Sequence, residues 1–273
     1  MDSKTKKDLQ IFATQIRMGI IEGTYNAKAG HPGGSLSSAD VFAYLYGKEM
    51  KYRADEPRWD DRDRFVLSKG HASPCLYAAL AERGLLHEDL LTFRKLNSNL
   101  QGHPNMNSVA GVDMSTGSLG QGISAAVGMA IANKLGKNDH RIYAMLGDGE
   151  CEEGQVWEAA MAASHYHLDN LCAIVDFNGL QIDGNVQDVM DPTPIDKKFE
   201  AFGWNTINID GHDFDDIRNA FKVARECKGK PTMILAHTIK GKGVSYMENA
   251  ANWHGVAPNE EQLKIALEEL EGK

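Results

Sequence analysis

Cysteine is scarce. The 273-residue chain has four, Cys75, Cys151, Cys172 and Cys227, and none belongs to a C-x-x-C pair. That spacing excludes an ordinary thiolate zinc site and a disulfide framework, and it suits thiols kept reduced inside a cell. Long hydrophobic runs are also missing. No apolar stretch approaches the roughly 20 residues a membrane-spanning helix needs. The opening Met1-Asp2-Ser3-Lys4-Thr5-Lys6-Lys7-Asp8 is too polar for a secretory leader, so a cytoplasmic protein with no membrane partner is expected. Basic charge is not in excess. A net charge of −9 speaks against a nucleic-acid surface, though it leaves room for a local basic pocket that takes phosphate. Nor does any internal repeat, low-complexity tract or disordered linker interrupt the chain. What remains is an ordinary globular composition, 42% hydrophobic and 25% charged, long enough to bury a sizeable core.

What is present alternates in character. Leu9, Phe12, Ile16 and Ile20 predict an amphipathic helix over 4–22. Ala29-Gly30-His31-Pro32-Gly33-Gly34-Ser35 reads as a rigid loop, with Ser37 or Ser38 capping a helix through Val41 to Tyr46. A polar connection, 51–63, leads to a short strand, Arg64–Leu67, which ends in Ser68-Lys69-Gly70-His71. A helix over about Cys75–Arg83 follows, then a third Gly-His turn at Gly102-His103-Pro104. Thr116-Gly117-Ser118-Leu119-Gly120-Gln121-Gly122 opens a helix to about Leu135, capped by Gly136. The small residues of that helix suit either tight packing on a sheet or a subunit contact. The run Arg141–Leu146 then predicts a strand, Gln155–His165 a helix, and Leu171–Phe177 a second strand. After a proline-containing loop to Pro194 come a strand at Asn205–Ile209, a helix at about Asp215–Cys227 and a strand at Pro231–His237. The loop Lys240–Gly255 leads to a closing helix that Asn259 and Gln262 would start as a capping box. Strands alternating with helices predict an α/β fold: a mostly parallel sheet with helices on both faces.

Gly147-Asp148-Gly149 follows one of these strands and Asn178 the next. Both oxygen-bearing side chains therefore stand beyond strand carboxyl ends, where open parallel sheets bind ligands. One carboxylate and one amide make a poor cage for a bare metal. With the Leu180 carbonyl they make a platform for Mg²⁺ that also takes about three oxygens from phosphate and water. His31, His71 and His103 lie in glycine-bearing turns, and His254 precedes a glycine. Neutral imidazoles placed so can donate to phosphate or move protons near neutral pH. His165 and His167, two residues apart on a helix, face different ways and do not form a zinc pair. Glu153 at a helix start complements the helix dipole. Lys240 and Lys242 either approach phosphate or belong to a solvated loop.

Taken together, these stretches resemble the N-terminal, diphosphate-binding part of transketolase. Gly-Asp-Gly followed by Asn is the broad thiamine diphosphate signature. Gly30-His31-Pro32-Gly33, Ser68-Lys69-Gly70-His71, Gly102-His103-Pro104, Thr116 to Gly122 and Trp253-His254-Gly255 narrow it, in transketolase order, from about residue 10 to 270. The resemblance implies a thiamine-diphosphate-binding fold with 1–273 as one diphosphate-binding domain. It implies Asp148, Asn178 and the Leu180 carbonyl as ligands of Mg²⁺ (or Ca²⁺). It implies Gly149, His71 and His254 at the diphosphate, and Gly117, Ser118 and Leu119 beside the cofactor rings. His31, His103 and His254 would meet the ketose hydroxyls and assist proton transfer. Glu153 would face the catalytic glutamate of another domain. A full transketolase continues into a pyrimidine-binding and a C-terminal domain. The expectation is therefore the N-terminal subunit of a split transketolase, inactive or nearly so on its own. With a C-terminal partner, as α2β2, it would move a two-carbon glycolaldehyde unit between sugar phosphates. Alternatives are a subunit like 1-deoxyxylulose-5-phosphate synthase, a 2-oxoacid dehydrogenase α subunit, or a non-catalytic cofactor-binding module.

Overall fold

A computed structural model describes residues 1–272; the last residue of the expected 1–273 domain lies outside the described residues. In chain order the strands are β1 (Arg64–Leu67), β2 (Ile142–Gly147), β3 (Leu171–Phe177), β4 (Leu180–Gln181), β5 (Gly184–Asn185), β6 (Asn205–Asp210) and β7 (Thr232–His237). The helices are α1 (Ser3–Ala27), α2 (Pro32–Leu36), α3 (Ala39–Tyr44), α4 (Ser73–Glu82), α5 (Gln121–Leu135), α6 (Gly154–His165), α7 (Val186–Val189), α8 (Ile195–Ala201), α9 (Phe214–Glu226) and α10 (Glu260–Glu271). Five strands form one sheet in the order β1-β2-β3-β7-β6, and every pairing in it is parallel. The fold is the expected α/β class.

Alternate side chains of the central strands feed two cores, as a period of two requires. Phe65, Leu67, Tyr143, Met145 and Ile174 pack with α1, α3, α4 and α9. Val66, Ala144, Leu146, Ala173 and Val175 pack with α5, α6 and α8. A sheet buried on both faces needs apolar residues at nearly every strand position, which is why β2 and β3 read as unbroken runs.

Several local expectations change. Helix α1 runs to Ala27, because Ile20, Ile21 and Thr24 continue its buried face, and Lys28 ends it in a left-handed conformation, φ 51°. The stretch expected to be a loop contains α2, with Pro32 at its first position, where a fixed φ suits helix initiation. Ser38 makes no side-chain cap on α3; it and Ser37 bond Gly34 and Asp176 instead. A π-helical turn, Leu45–Glu49, follows α3. Gly136 ends α5 with φ −75°, and Lys137 takes the left-handed turn that glycine was expected to supply. The small hairpin of β4 and β5 was not anticipated. At α10 the Asn259–Gln262 capping box is present as expected. Among the described residues no helix is long and apolar enough to cross a membrane.

Candidate active site

Asp148 follows β2 directly and is 3% exposed. Its Oδ1 accepts the Gly149 N–H at 2.8 Å and its Oδ2 the Gly179 N–H at 2.6 Å. The second bond depends on a turn at Gly179 with φ +76°, which a residue with a Cβ rarely adopts. Burial and the nearby Asp176 carboxylate push the Asp148 carboxyl up to about 6. Asn178 follows β3. Its Nδ2 donates to Asp176 Oδ2 at 3.1 Å, and its Oδ1 accepts the Leu180 N–H at 3.1 Å. The Leu180 carbonyl accepts from Lys240 Nζ at 3.0 Å. Asp148, Asn178 and Leu180 thus offer only oxygen, the donor type suited to a hard divalent cation. Cys151, the nearby thiol, is turned toward the Gly147 carbonyl.

Next to these oxygens is a cavity of about 370 Å³ lined by His31, His71, His254, Lys69 and Lys240 together with Asp148, Gly149, Asn178 and Leu180. Ring centroids stand 5.2 Å apart for His31–His71, 5.3 Å for His31–His254 and 5.2 Å for His71–His254. Burial is the main cause that lowers all three pKa values. His31 falls to about 4, His254 to about 3 with Lys240 adding to the effect, and His71 well below its ordinary value. All three are neutral at pH 7. Lys240 Nζ also donates to His254 Nδ1 at 2.9 Å, so the His254 proton sits on Nε2. His31 Nδ1 is buried with no partner, a polar atom placed for a ligand.

His103 is exposed, its ring centroid 6.5 Å from that of His31, and partial desolvation by its neighbours, then the Arg94 charge, lower its pKa. Gly117 lies over its ring with φ +153°, and a Cβ there would come within 3.1 Å of it. Gly117 and Leu119 line the cavity, whereas Ser118 is exposed and outside it. Glu153 precedes α6, exposed at the cavity mouth, and makes no side-chain cap. Its neighbour Glu150 is buried, accepting from Ser68 Oγ, Gly120 N and Gly147 N; this carboxylate fastens the turn before α5 to the turn after β2.

Two buried charged residues at the site, Lys69 and Asp176, escaped sequence reasoning, and a third, Lys240, had two readings. Lys240 is 1% exposed and points into the cavity, so the solvated-loop alternative does not hold for it. Burial lowers its pKa to about 8. Lys69, 2% exposed, donates to Asp176 Oδ2 at 2.5 Å, to the Gly34 carbonyl at 2.7 Å and to Ser38 Oγ at 2.7 Å. Burial pushes the Asp176 carboxyl upward, but the Lys69 ammonium and hydrogen bonds from Lys69, Ser37 and Thr238 outweigh it and hold the pKa low. One signal was available: Asp176 interrupts the apolar run of β3, and a charge there calls for a buried partner.

Residues 9–271 match the family model described as transketolase, thiamine diphosphate binding domain. The chain is 47% identical over 270 residues to the 6-deoxy-6-sulfo-D-fructose transketolase subunit SqwG of a Clostridium species (strain MSTE9), covering 98% of each chain. It is 42% identical to one of the subunits of the apulose-4-phosphate transketolase of Phocaeicola vulgatus, covering 96% of this chain and 93% of that one. Among solved structures, the transketolase of Campylobacter jejuni superposes with a TM-score of 0.92 at 36% identity, over 99% of this chain and 43% of that one. The chain thus spans less than half of that enzyme, but nearly all of the two subunits.

Proposed function

We propose a function from the premise that this chain belongs to the transketolase family, by its thiamine diphosphate-binding domain. In this reading it is the N-terminal subunit of a split transketolase. Joined to a C-terminal subunit that brings the pyrimidine-binding and C-terminal domains, as α2β2, it moves a glycolaldehyde unit from a ketose phosphate to an aldose phosphate. The near end-to-end match to two relatives named as subunits supports the split assignment. The observation that carries the activity is the cavity itself. Oxygen-bearing Asp148, Asn178 and Leu180, the buried lysines Lys69 and Lys240 and the three neutral imidazoles line one cavity.

These residues fit the cofactor. Asp148, Asn178 and the Leu180 carbonyl would hold Mg²⁺ (or Ca²⁺). Lys240 would move its ammonium between that carbonyl and a diphosphate oxygen. His71, His254 and the Gly149 turn would face the diphosphate. Gly117 and Leu119 would flank the rings, and Glu153 would meet the partner's glutamate. The chemistry that thiamine diphosphate supplies when bound is a nucleophile and electron sink for breaking and remaking a carbon–carbon bond. His31, with its free Nδ1, His103 at the rim and His254 through Nε2 would hold sugar hydroxyls and move their protons. Their lowered pKa values keep them neutral at pH 7, so that His254 offers its Nε2–H as a donor and His31 its unpartnered Nδ1 to a hydroxyl.

Reconstitution tests the reading. The chain mixed with a C-terminal transketolase subunit, thiamine diphosphate and Mg²⁺ should convert a ketose phosphate and an aldose phosphate, and the chain alone should not. Turnover by the chain alone, or none by the cofactor-loaded pair over a panel of sugar phosphates, would overturn it.

A further inference from the structure

A side-chain amide has two ends of nearly the same shape and opposite polarity. For Asn178 to offer an oxygen to a cation, something must decide which end faces the cavity. Two contacts do so here. Nδ2 donates to Asp176 Oδ2 at 3.1 Å, and Oδ1 accepts the Leu180 N–H at 3.1 Å. Reversing the amide would set oxygen against a carboxylate and N–H against N–H, two repulsive contacts in a region where Asp176 is 1% exposed.

Of the two, Asp176 is the stronger constraint. Its carboxylate only accepts and is held by donors from three other segments, whereas the Leu180 N–H comes from a two-residue strand adjoining Asn178 itself. Asp176 is itself fixed. Lys69 Nζ reaches Oδ2 at 2.5 Å, Ser37 Oγ reaches it at 2.6 Å, and Thr238 Oγ1 donates to Oδ1. These donors come from the turns after β1 and β7 and from the segment between α2 and α3. The carboxylate therefore cannot rotate away to let the amide turn.

We infer that Asp176 is the positioning residue of the metal platform: it sets the orientation of the Asn178 amide so that Oδ1, not Nδ2, meets the cation. This rests on the reading above, in which Asn178 is a metal ligand. Removing a group that orients a metal ligand typically costs about ten- to a hundredfold in metal affinity.

The test is a double-mutant cycle on the chain joined to a C-terminal transketolase subunit, titrated with Mn²⁺ at saturating thiamine diphosphate and followed by the EPR signal of the free ion. Asp176→Ala, which leaves the Asn178 amide no acceptor, should weaken Mn²⁺ binding about ten- to a hundredfold. An Asn178→Asp chain has a symmetric ligand that needs no orienting. In that background Asp176→Ala should leave affinity within about twofold, or raise it by removing a neighbouring charge. Equal losses in both backgrounds, or no loss in the native one, overturn the inference. A purely structural role would lower the melting temperature of both and leave no difference between them. Should Asp176→Ala not fold, the native chain still decides. One Asn178 Nδ2 proton should be shifted downfield in the NMR spectrum and protected from exchange without metal, whereas freely exchanging, averaged protons overturn the inference. If the native pair takes up neither Mn²⁺ nor thiamine diphosphate, the proposed function falls and the inference with it. If it takes up both and the Asp176→Ala pair does so equally well, the inference alone fails.

Discussion

The turns after β2 and β3 pose the same physical problem and resolve it in opposite ways. Gly147 and Asp176 are register partners on adjacent parallel strands, and Asp148 follows Gly147 directly. Two carboxylates are thereby buried side by side, 3% and 1% exposed. Asp176 is saturated, with an ammonium, hydroxyls and an amide as donors, and its pKa is held low. Asp148 accepts only two backbone N–H bonds and has no ion pair of its own; Lys69 offsets burial and Asp176 only in part, and the Asp148 pKa rises to about 6. A carboxylate whose charge is already answered holds structure together. One whose charge is unanswered is ready for a ligand. Position on the sheet edge does not separate these roles; the inventory of partners does.

The largest effect should come from leaving Asp176 unanswered. Lys69→Met strands its carboxylate in the interior and should cost about 3–5 kcal/mol of stability, read by urea unfolding. A loss under about 1 kcal/mol would mean the pair adds nothing to the fold. Asp148→Ala should show the reverse pattern. Metal-dependent thiamine diphosphate affinity should fall on the order of a hundredfold, ~2.7 kcal/mol, while stability holds or rises. Calorimetry showing unchanged affinity would break the contrast.

Acid sharpens it further. His31, His71 and His254 stay neutral in the fold to well below the ordinary histidine value, so below about pH 6.5 the unfolded chain binds protons that the folded chain does not. Stability should therefore fall as pH drops from about 6.5 toward 4. Asp148 acts with the opposite sign. Between about 6 and its ordinary value the folded form takes a proton that the unfolded form does not, which offsets part of that loss. Asp148→Ala should make the acid limb steeper, and an unchanged slope in unfolding curves across that range would count against the assignment. The smallest effect is expected at the rim. His103→Ala in the reconstituted pair should raise the ketose KM about tenfold and leave cofactor affinity alone; the converse would move His103 to the cofactor.

How much the sequence revealed follows the range of the interactions. Strands β2 and β3, to within a residue at their carboxyl ends, and the four glycine-flanked histidines were legible because apolar runs and turns are local signals. Which histidines would share a cavity came from the resemblance and not from spacing. Lys69 and Asp176 are 107 residues apart, and no local pattern pairs them. Lys240 sits among glycines that suggest a solvated loop, and it is the packing of its segment against Gly33 and its bonds to Leu180 and His254 that make it interior. Helix α2 was hidden because Gly33 and Gly34 argue for a loop unless tertiary packing overrides propensity. The exposed place of Ser118 was equally invisible, since a motif does not say which of its side chains turn outward.

The carboxylate of Asp176 also has a consequence in time. Its partners Ser37, Lys69 and Thr238 lie 139, 107 and 62 residues away along the chain. Each contact closes a long loop, and the entropy of closure is spent before the contact gives anything back. The cavity is thus expected to close late in folding, so that protection of the Lys69 and Asp176 segments in pulsed hydrogen exchange should appear together with ligand binding and after that of the helices.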